Sequence, residues 1–255
     1  MIRMMIGLLP CLLIRRYRRA ALHFERFDLI LYRGFFGGIA VMMYFTAIEH
    51  TNAGLATLLN YTAPVWSGIF SALFINERIR PRVLLPLPIA LAGLYLVVNG
   101  NAFGFSRWIF VGLLSAVASG AAITAMRAAR RGENSWSVYA SFCFFGVLVN
   151  APLALRTWRT PVASDWVALV ATGLSAMGAQ LLLTFSLRWV DAMTVGVISQ
   201  LAVPVAMLLG ALFLHEIITP AAVLGTALTI AGVVGVTYAT TIVRETSATT
   251  VVPEA

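Results

Sequence analysis

Apolar residues run along this chain in long unbroken blocks separated by short polar clusters. They do not recur at the three-to-four-residue spacing of a surface helix or the two-residue spacing of a half-buried strand. The blocks are Met4 to Ile14, Leu29–Ile48, Gly54–Ile75, Val83–Val98, Trp108–Ala125, Trp136–Leu155, Val167–Leu187, Met193–Leu214 and Ala221–Thr240. A membrane-spanning helix needs about 20 predominantly apolar residues, so the last eight blocks predict spans. The first, interrupted by Pro10, covers only about 16 Å at 1.5 Å per residue, against a hydrocarbon core of about 30 Å. Gly and Pro inside the blocks suit membrane helices, where neighbours re-satisfy freed backbone groups. The length of the blocks excludes a β-barrel.

Composition agrees with the pattern. Hydrophobic residues make up 60% and charged residues 11%, against roughly half and a quarter in soluble domains, and no hydrophilic stretch is long enough for a soluble domain to carry chemistry. All 18 basic residues are arginines, and they sit between apolar blocks rather than on one soluble face. They therefore report topology, not nucleic-acid binding. Arg15, Arg16, Arg18, Arg19, Arg26, Arg33, Arg78, Arg80, Arg82, Arg127, Arg130, Arg131, Arg188 and Arg244 fall on one side, and Arg3, Arg107, Arg156 and Arg159 on the other. The arginine-rich side is expected to be cytoplasmic and to hold the C-terminus, with a disordered tail over 244–255. Cys11 and Cys143 lie in separate blocks without metal-ligand spacing and read as lipid-facing or core residues. Met4 to Ile14 lacks the cleavage pattern of a secretory leader.

The chain repeats itself. Laying Thr51 over Asp191 aligns Gly38 with Gly178, Phe45 with Phe185 and Pro64 with Pro204. After a slip of one residue, Ala72-Leu73-Phe74 lies over Ala211-Leu212-Phe213, Glu77 over Glu216, Pro81 over Pro220 and Ala92-Gly93 over Ala231-Gly232. Chance matching of Leu and Ala does not produce ordered Pro, Glu, Pro and Gly matches. The second copy carries two further helices, so the unit has five. An odd number inverts one copy against the other, the plan of many secondary transporters. Met4 to Ile14 then corresponds to the end of Trp136–Leu155 and nothing corresponds to Trp108–Ala125. The expectation is a ten-helix plan whose first helix is absent and second partial, leaving eight to nine spans.

A mid-helix Pro, then A-L-F-x-x-E-x-I-x-P, then a helix ending in A-G, occurring twice, resembles the EamA family of the drug/metabolite transporter superfamily. The resemblance implies an all-α integral membrane protein of two inverted five-helix repeats, here 1–100 and 104–243, in the bacterial inner membrane with a cytoplasmic C-terminus. It also implies export of amino acids, related metabolites or drugs, which composition and spacing do not show.

Pro64 and Pro204 lie inside apolar blocks, where each removes a backbone hydrogen bond, kinks the helix and frees a carbonyl. Transporters bind substrate where paired helices are interrupted at the repeat interface. The candidate substrate-binding residues are therefore Asn60, Tyr61, Thr62 and Pro64 in one copy and Ser199, Gln200 and Pro204 in the other. Tyr44, Gln180 and Thr184 join them from preceding helices, and Trp66 is a candidate aromatic wall. Helix-to-helix hydrogen bonding is the bland reading of each polar residue.

Glu49, Asp191, Glu77 and Glu216 are the candidates for ion coupling. For Glu77 and Glu216, which precede Pro81 and Pro220, a helix-dipole role is favoured. For Glu49 and Asp191 an interfacial or capping role is favoured, although ionisable residues at membrane depth are otherwise functional by default. Arg127, Arg130 and Arg131 read as cytoplasmic anchors. Gly34 and Gly38 read as an internal packing step, with a homodimer contact as the alternative.

The leading function is a secondary transporter of a small molecule working by alternating access, with proton coupling, exchange and facilitated diffusion open. No nucleotide-binding motif, metal-ligand cluster or cofactor motif occurs, and no paired ionisable residues within a block suggest an enzyme. The alternative is a non-transporting fragment or membrane scaffold.

Overall fold

The computed structural model describes residues 1–51, 53–77, 86–97, 107–156, 158, 160–163, 165–202, 204–205, 208–209, 212 and 219–249, and no strand occurs among them. The helices are α1 (Ile2–Leu13), α2 (Arg15–Ala21), α3 (Phe27–His50), α4 (Ala53–Asn60), α5 (Ala63–Phe74), α6 (Pro86–Val97), α7 (Arg107–Ala129), α8 (Ser135–Arg156), α9 (Asp165–Ser186), α10 (Ala192–Ile198) and α11 (Pro220–Thr249), with a 3₁₀ turn at Ser199–Leu201. Among the described residues four helices, α3, α7, α8 and α9, are long and apolar enough to cross a membrane.

Helix contacts follow the repeat. α6 packs along α11, its own counterpart in the other copy, and α5 packs against α10, the counterpart of α4. α3 lies against α8, and the counterpart relation, α1 against α9, is also made. α3 is further covered by α7, and no described helix stands to α9 as α7 stands to α3. The consequence is visible in burial: the most hydrophobic stretch of α9 is 11% buried, against 50% for α7.

Small residues set the close approaches. A Cβ at Gly34 would strike the Phe145 ring, and one at Gly38 would lie 3.0 Å from the Phe145 carbonyl and 3.3 Å from Gly146 Cα. This glycine step therefore packs α3 on α8 inside the chain. At the other end of the bundle, Gly93 faces Gly225 and Thr229, while Gly232 faces Ala90.

α1 is a short helix packed on α8 and α9. It runs opposite to α8, with Met4 against Gly146, Gly7 against Tyr139 and Cys143, and Tyr17 stacked on Trp136 at 4.0 Å. Met4, Cys11, Tyr139, Phe142 and Cys143 form one buried cluster, so both cysteines are core residues.

Three expectations are refined. The block Gly54–Ile75 is two helices, α4 and α5, broken at Tyr61-Thr62. Pro64 stands in the first turn of α5, where its missing N–H costs nothing, so it opens a helix rather than kinking one. α11 continues to Thr249, into the tail expected to be disordered, because no Gly or Pro occurs between Gly235 and Pro253.

The arginines at the end of α7 do more than anchor. Arg127 Nε donates to Glu77 Oε1 at 2.8 Å and its Nη1 to the Leu187 carbonyl, while buried Arg130 donates through Nε to the Thr184 carbonyl at 3.1 Å. Glu133, also buried, accepts from the backbone N–H groups of Glu25 and Arg26 at 2.6 and 2.7 Å. These bonds tie the α7–α8 turn to the start of α3 and to the end of α9.

Candidate functional site

The break between α4 and α5 follows from the missing N–H of Pro64, which leaves the Asn60 carbonyl without its helical donor. The chain tightens in response: Thr62 N–H donates to the Leu59 carbonyl at 3.1 Å and Val65 N–H to the Thr62 carbonyl at 3.0 Å. Val65 is thereby withdrawn from Tyr61, whose carbonyl accepts Gln200 Nε2 at 3.1 Å instead. Gln200 lies in the 3₁₀ turn that ends α10, four residues before Pro204. Gly196 lets α10 approach α5 here, since a Cβ on it would stand 2.9 Å from Pro64 Cγ.

Beside this junction is a cavity of about 230 Å³. Of the eleven residues proposed from sequence, Tyr44, Asn60, Tyr61, Pro64, Gln180 and Ser199 stand on its wall. Tyr44 Oη shares a 2.7 Å hydrogen bond with Thr57 Oγ1, and Asn60 Nδ2 donates to Ser115 and Ser119 Oγ at 3.0 and 3.1 Å. Asn60 and Gln200 occupy equivalent repeat positions. Asn60 reaches α7, whereas the Gln200 Oε1 is buried without a partner among the described residues.

The remaining five stand elsewhere. Thr62 turns its hydroxyl back to the Leu59 carbonyl at 2.7 Å. Thr184 is buried and donates to the Gln180 carbonyl at 2.6 Å. Trp66 backs onto Gly120 and leans towards Phe70, so it packs α5 on α7. Gln200 and Pro204 are buried and do not line the cavity.

The coupling candidates divide similarly. Asp191 caps α10, accepting from Thr194 N–H through Oδ1 and from Thr194 Oγ1 through Oδ2, both at 2.9 Å. Glu77 is paired with Arg127 at 2.8 Å and Arg131 at 3.3 Å. Glu49 is exposed near the end of α3, beside His50, which stacks on Trp108 at 3.7 Å. Glu216 lies outside the described residues.

One wall residue went unnominated. Arg33, assigned to the cytoplasmic side by charge alone, is 5% exposed and lines the cavity with its guanidinium 4.4 Å from the centre of the Phe142 ring. The signal was present: Arg33, Gly37, Ala40, Val41 and Tyr44 recur at helical spacing, and all five face the cavity. A larger cavity of about 690 Å³ lies along α3, α5 and α7. Its wall is almost wholly apolar and includes the exposed Tyr32, Phe74 and Leu114. That suits lipid chains better than a site that must orient a substrate.

Comparison with known proteins bears on this geometry. The model of the EamA-like transporter family matches residues 1–99 and 106–238. The pseudopaline exporter CntI of Pseudomonas aeruginosa is 29% identical over 217 residues, covering 84% of this chain and 76% of that protein. The aromatic amino acid exporter YddG of Ancylobacter novellus is 29% identical over 143 residues, 53% of this chain and 49% of its own. A crystal structure superposes with a TM-score of 0.75 and 25% identity over 93% of this chain and 83% of the other.

Proposed function

This chain belongs to the EamA-like transporter family, and from that premise we propose that it is a secondary exporter of a small metabolite, amino-acid-like compound or drug across the bacterial inner membrane. It is a multi-pass membrane protein and a transporter of small molecules rather than an enzyme. The substrate occupies the cavity between α3, α4, α5, α7, α8, α9 and α10, and alternating access arises from the two repeats rocking about the junction of Pro64 and Gly196. Two of its relatives are exporters, of pseudopaline and of aromatic amino acids.

The observation carrying the reading is that polar side chains of both repeats, Tyr44 and Asn60 from one and Gln180 and Ser199 from the other, meet on one cavity wall beside paired helix interruptions. Irregular backbone at membrane depth is tolerated where it is buried or lines a cavity, and transporters use it there to bind substrate. Energy comes from a gradient, by proton coupling or exchange. Asp191 and Glu77 are committed to a cap and an ion pair, which leaves Glu49 as the coupling candidate among the described carboxylates proposed from sequence.

The test is exchange of labelled aromatic amino acids by the full chain in proteoliposomes. Transport that falls at least about tenfold in Asn60→Ala and Tyr44→Phe, with unfolding temperatures unchanged, supports the cavity. Rates indifferent to both changes remove it. A second reading, a scaffold that does not transport, draws on the sparse cover of α9. It predicts a folded protein that moves none of the compounds.

A further inference from the structure

We propose that Arg33 is the anion-recognising residue of this cavity and that the substrate is a monocarboxylate of amino-acid size. This rests on the reading of the cavity as a transport site and narrows its substrate.

Arg33 stands six residues, about 9 Å, into α3, within reach of the interface for a side chain that can snorkel. It turns inward instead and is 5% exposed. The space is prepared for it: a Cβ on Gly37, one turn further along α3, would collide with Arg33 Nη1 and come within 2.8 Å of the Phe142 ring. Phe142 offers its face to the guanidinium. The one side-chain hydrogen bond Arg33 makes among the described residues is a long one, Nη2 to Gln180 Oε1 at 3.3 Å. Its Nε is buried with no partner among the described residues.

No carboxylate stands on the cavity wall among the described residues. The ion pairs are elsewhere, between Arg26 and Asp28 and between Glu77 and the arginines of α7. A neutral amide and an aromatic face offset only part of the cost of burying a guanidinium, several kcal/mol for an unpaired ion. The planar fork of Arg33 presents parallel donors matched to a carboxylate. A carboxylate in the cavity would supply the missing charge and an acceptor for Nε.

The cavity also limits what carries that carboxylate. About 230 Å³ admits one amino-acid-sized molecule. Tyr44, Tyr61 and Phe142 provide surfaces for an apolar body, and Asn60 and Ser199 provide polar atoms. Among the described residues one cation stands on this wall, which suits a single negative charge rather than a phosphate dianion.

The experiment follows thermal unfolding of the full chain in detergent with phenylacetate and L-phenylalanine, each against its amide, and with inorganic phosphate as a control. Either carboxylate is expected to raise the unfolding temperature saturably, its amide to bind at least about tenfold more weakly. Arg33→Gln is expected to remove the carboxylate effect and Arg33→Lys to keep part of it. Carboxylates without effect, amides equal to them, or a larger response to phosphate would each overturn the assignment. The comparison of wild-type ligands stands even where Arg33→Gln fails to fold. Carboxylate binding that depends on Arg33 but is accompanied by no exchange in proteoliposomes defeats the transporter reading alone. Exchange of acids and amides at equal rates, unmoved by Arg33→Gln, defeats the anion site alone.

Discussion

Gln200 donates its side-chain amide to the main-chain carbonyl of Tyr61 at 3.1 Å, across 139 positions of sequence. The acceptor is free because Pro64 tightens the chain and draws the Val65 N–H to Thr62. A helix interruption in one repeat is thus satisfied by a side chain of the other. Gln200→Leu is expected to cost about 1–2 kcal/mol. It strands the Tyr61 carbonyl, but it also removes the unsatisfied Oε1 of Gln200 itself, which offsets part of the loss. Denaturant unfolding in detergent, at constant slope, reads the difference.

Gly37 separates packing from charge. Gly37→Ala pushes a methyl group at the Arg33 guanidinium and Phe142, an overpacking cost of about 1–3 kcal/mol. Because the arginine is displaced rather than removed, carboxylate-induced thermal stabilisation should shrink while Gly34→Ala, which strikes Phe145 instead, leaves it in proportion. Equal effects of both changes on ligand response would show that Gly37 only packs helices.

The Glu77–Arg127 pair is expected to behave as a partly buried latch between the ends of α5 and α7, its side chains 17% and 16% exposed. A double-mutant cycle with Glu77→Gln and Arg127→Gln should give a coupling of about 1 kcal/mol or more. The same cycle with the 56%-exposed Arg131 should give less, as solvent screens exposed pairs.

Asp191→Ala should destabilise the protein by about 1 kcal/mol through loss of the α10 N-cap, while Asp191→Asn, which can still accept from Thr194 N–H, should keep most of it. The pH dependence of exchange should be the same in Asp191→Asn and wild type. A changed dependence would move this residue from capping to coupling.

The membrane character, the all-helical class and the repeat were legible in the chain because each depends on local or periodic properties. Block length meets bilayer thickness, and ordered Pro and Glu matches survive in a background of Leu and Ala. The prolines also located the interruptions, since a missing N–H is a covalent fact wherever the residue lies. Proximity was a different matter. Of the residues nominated around the prolines and on the preceding helices, Tyr44, Asn60, Tyr61, Pro64, Gln180 and Ser199 reached one wall, whereas Thr62, Trp66 and Thr184 turned to backbone or packing partners. Their side chains had equally good local bonds to make, and composition cannot rank those alternatives.

Charge was the property most misjudged from sequence alone. Counted by side alone, Arg33, Arg127 and Arg130 were three more residues on the basic side. In the fold Arg127 holds Glu77, Arg130 holds carbonyls at the helix ends, and Arg33 turns into the cavity. Sequence decided that this protein is built of apolar helices, that the chain is interrupted near Pro64 and that it repeats, because covalent geometry and transfer into lipid act residue by residue. Only the tertiary structure decided that Arg33 turns into a cavity with no carboxylate on its wall among the described residues. That depends on the neighbours of each guanidinium, set by the crossing of helices far apart in the chain.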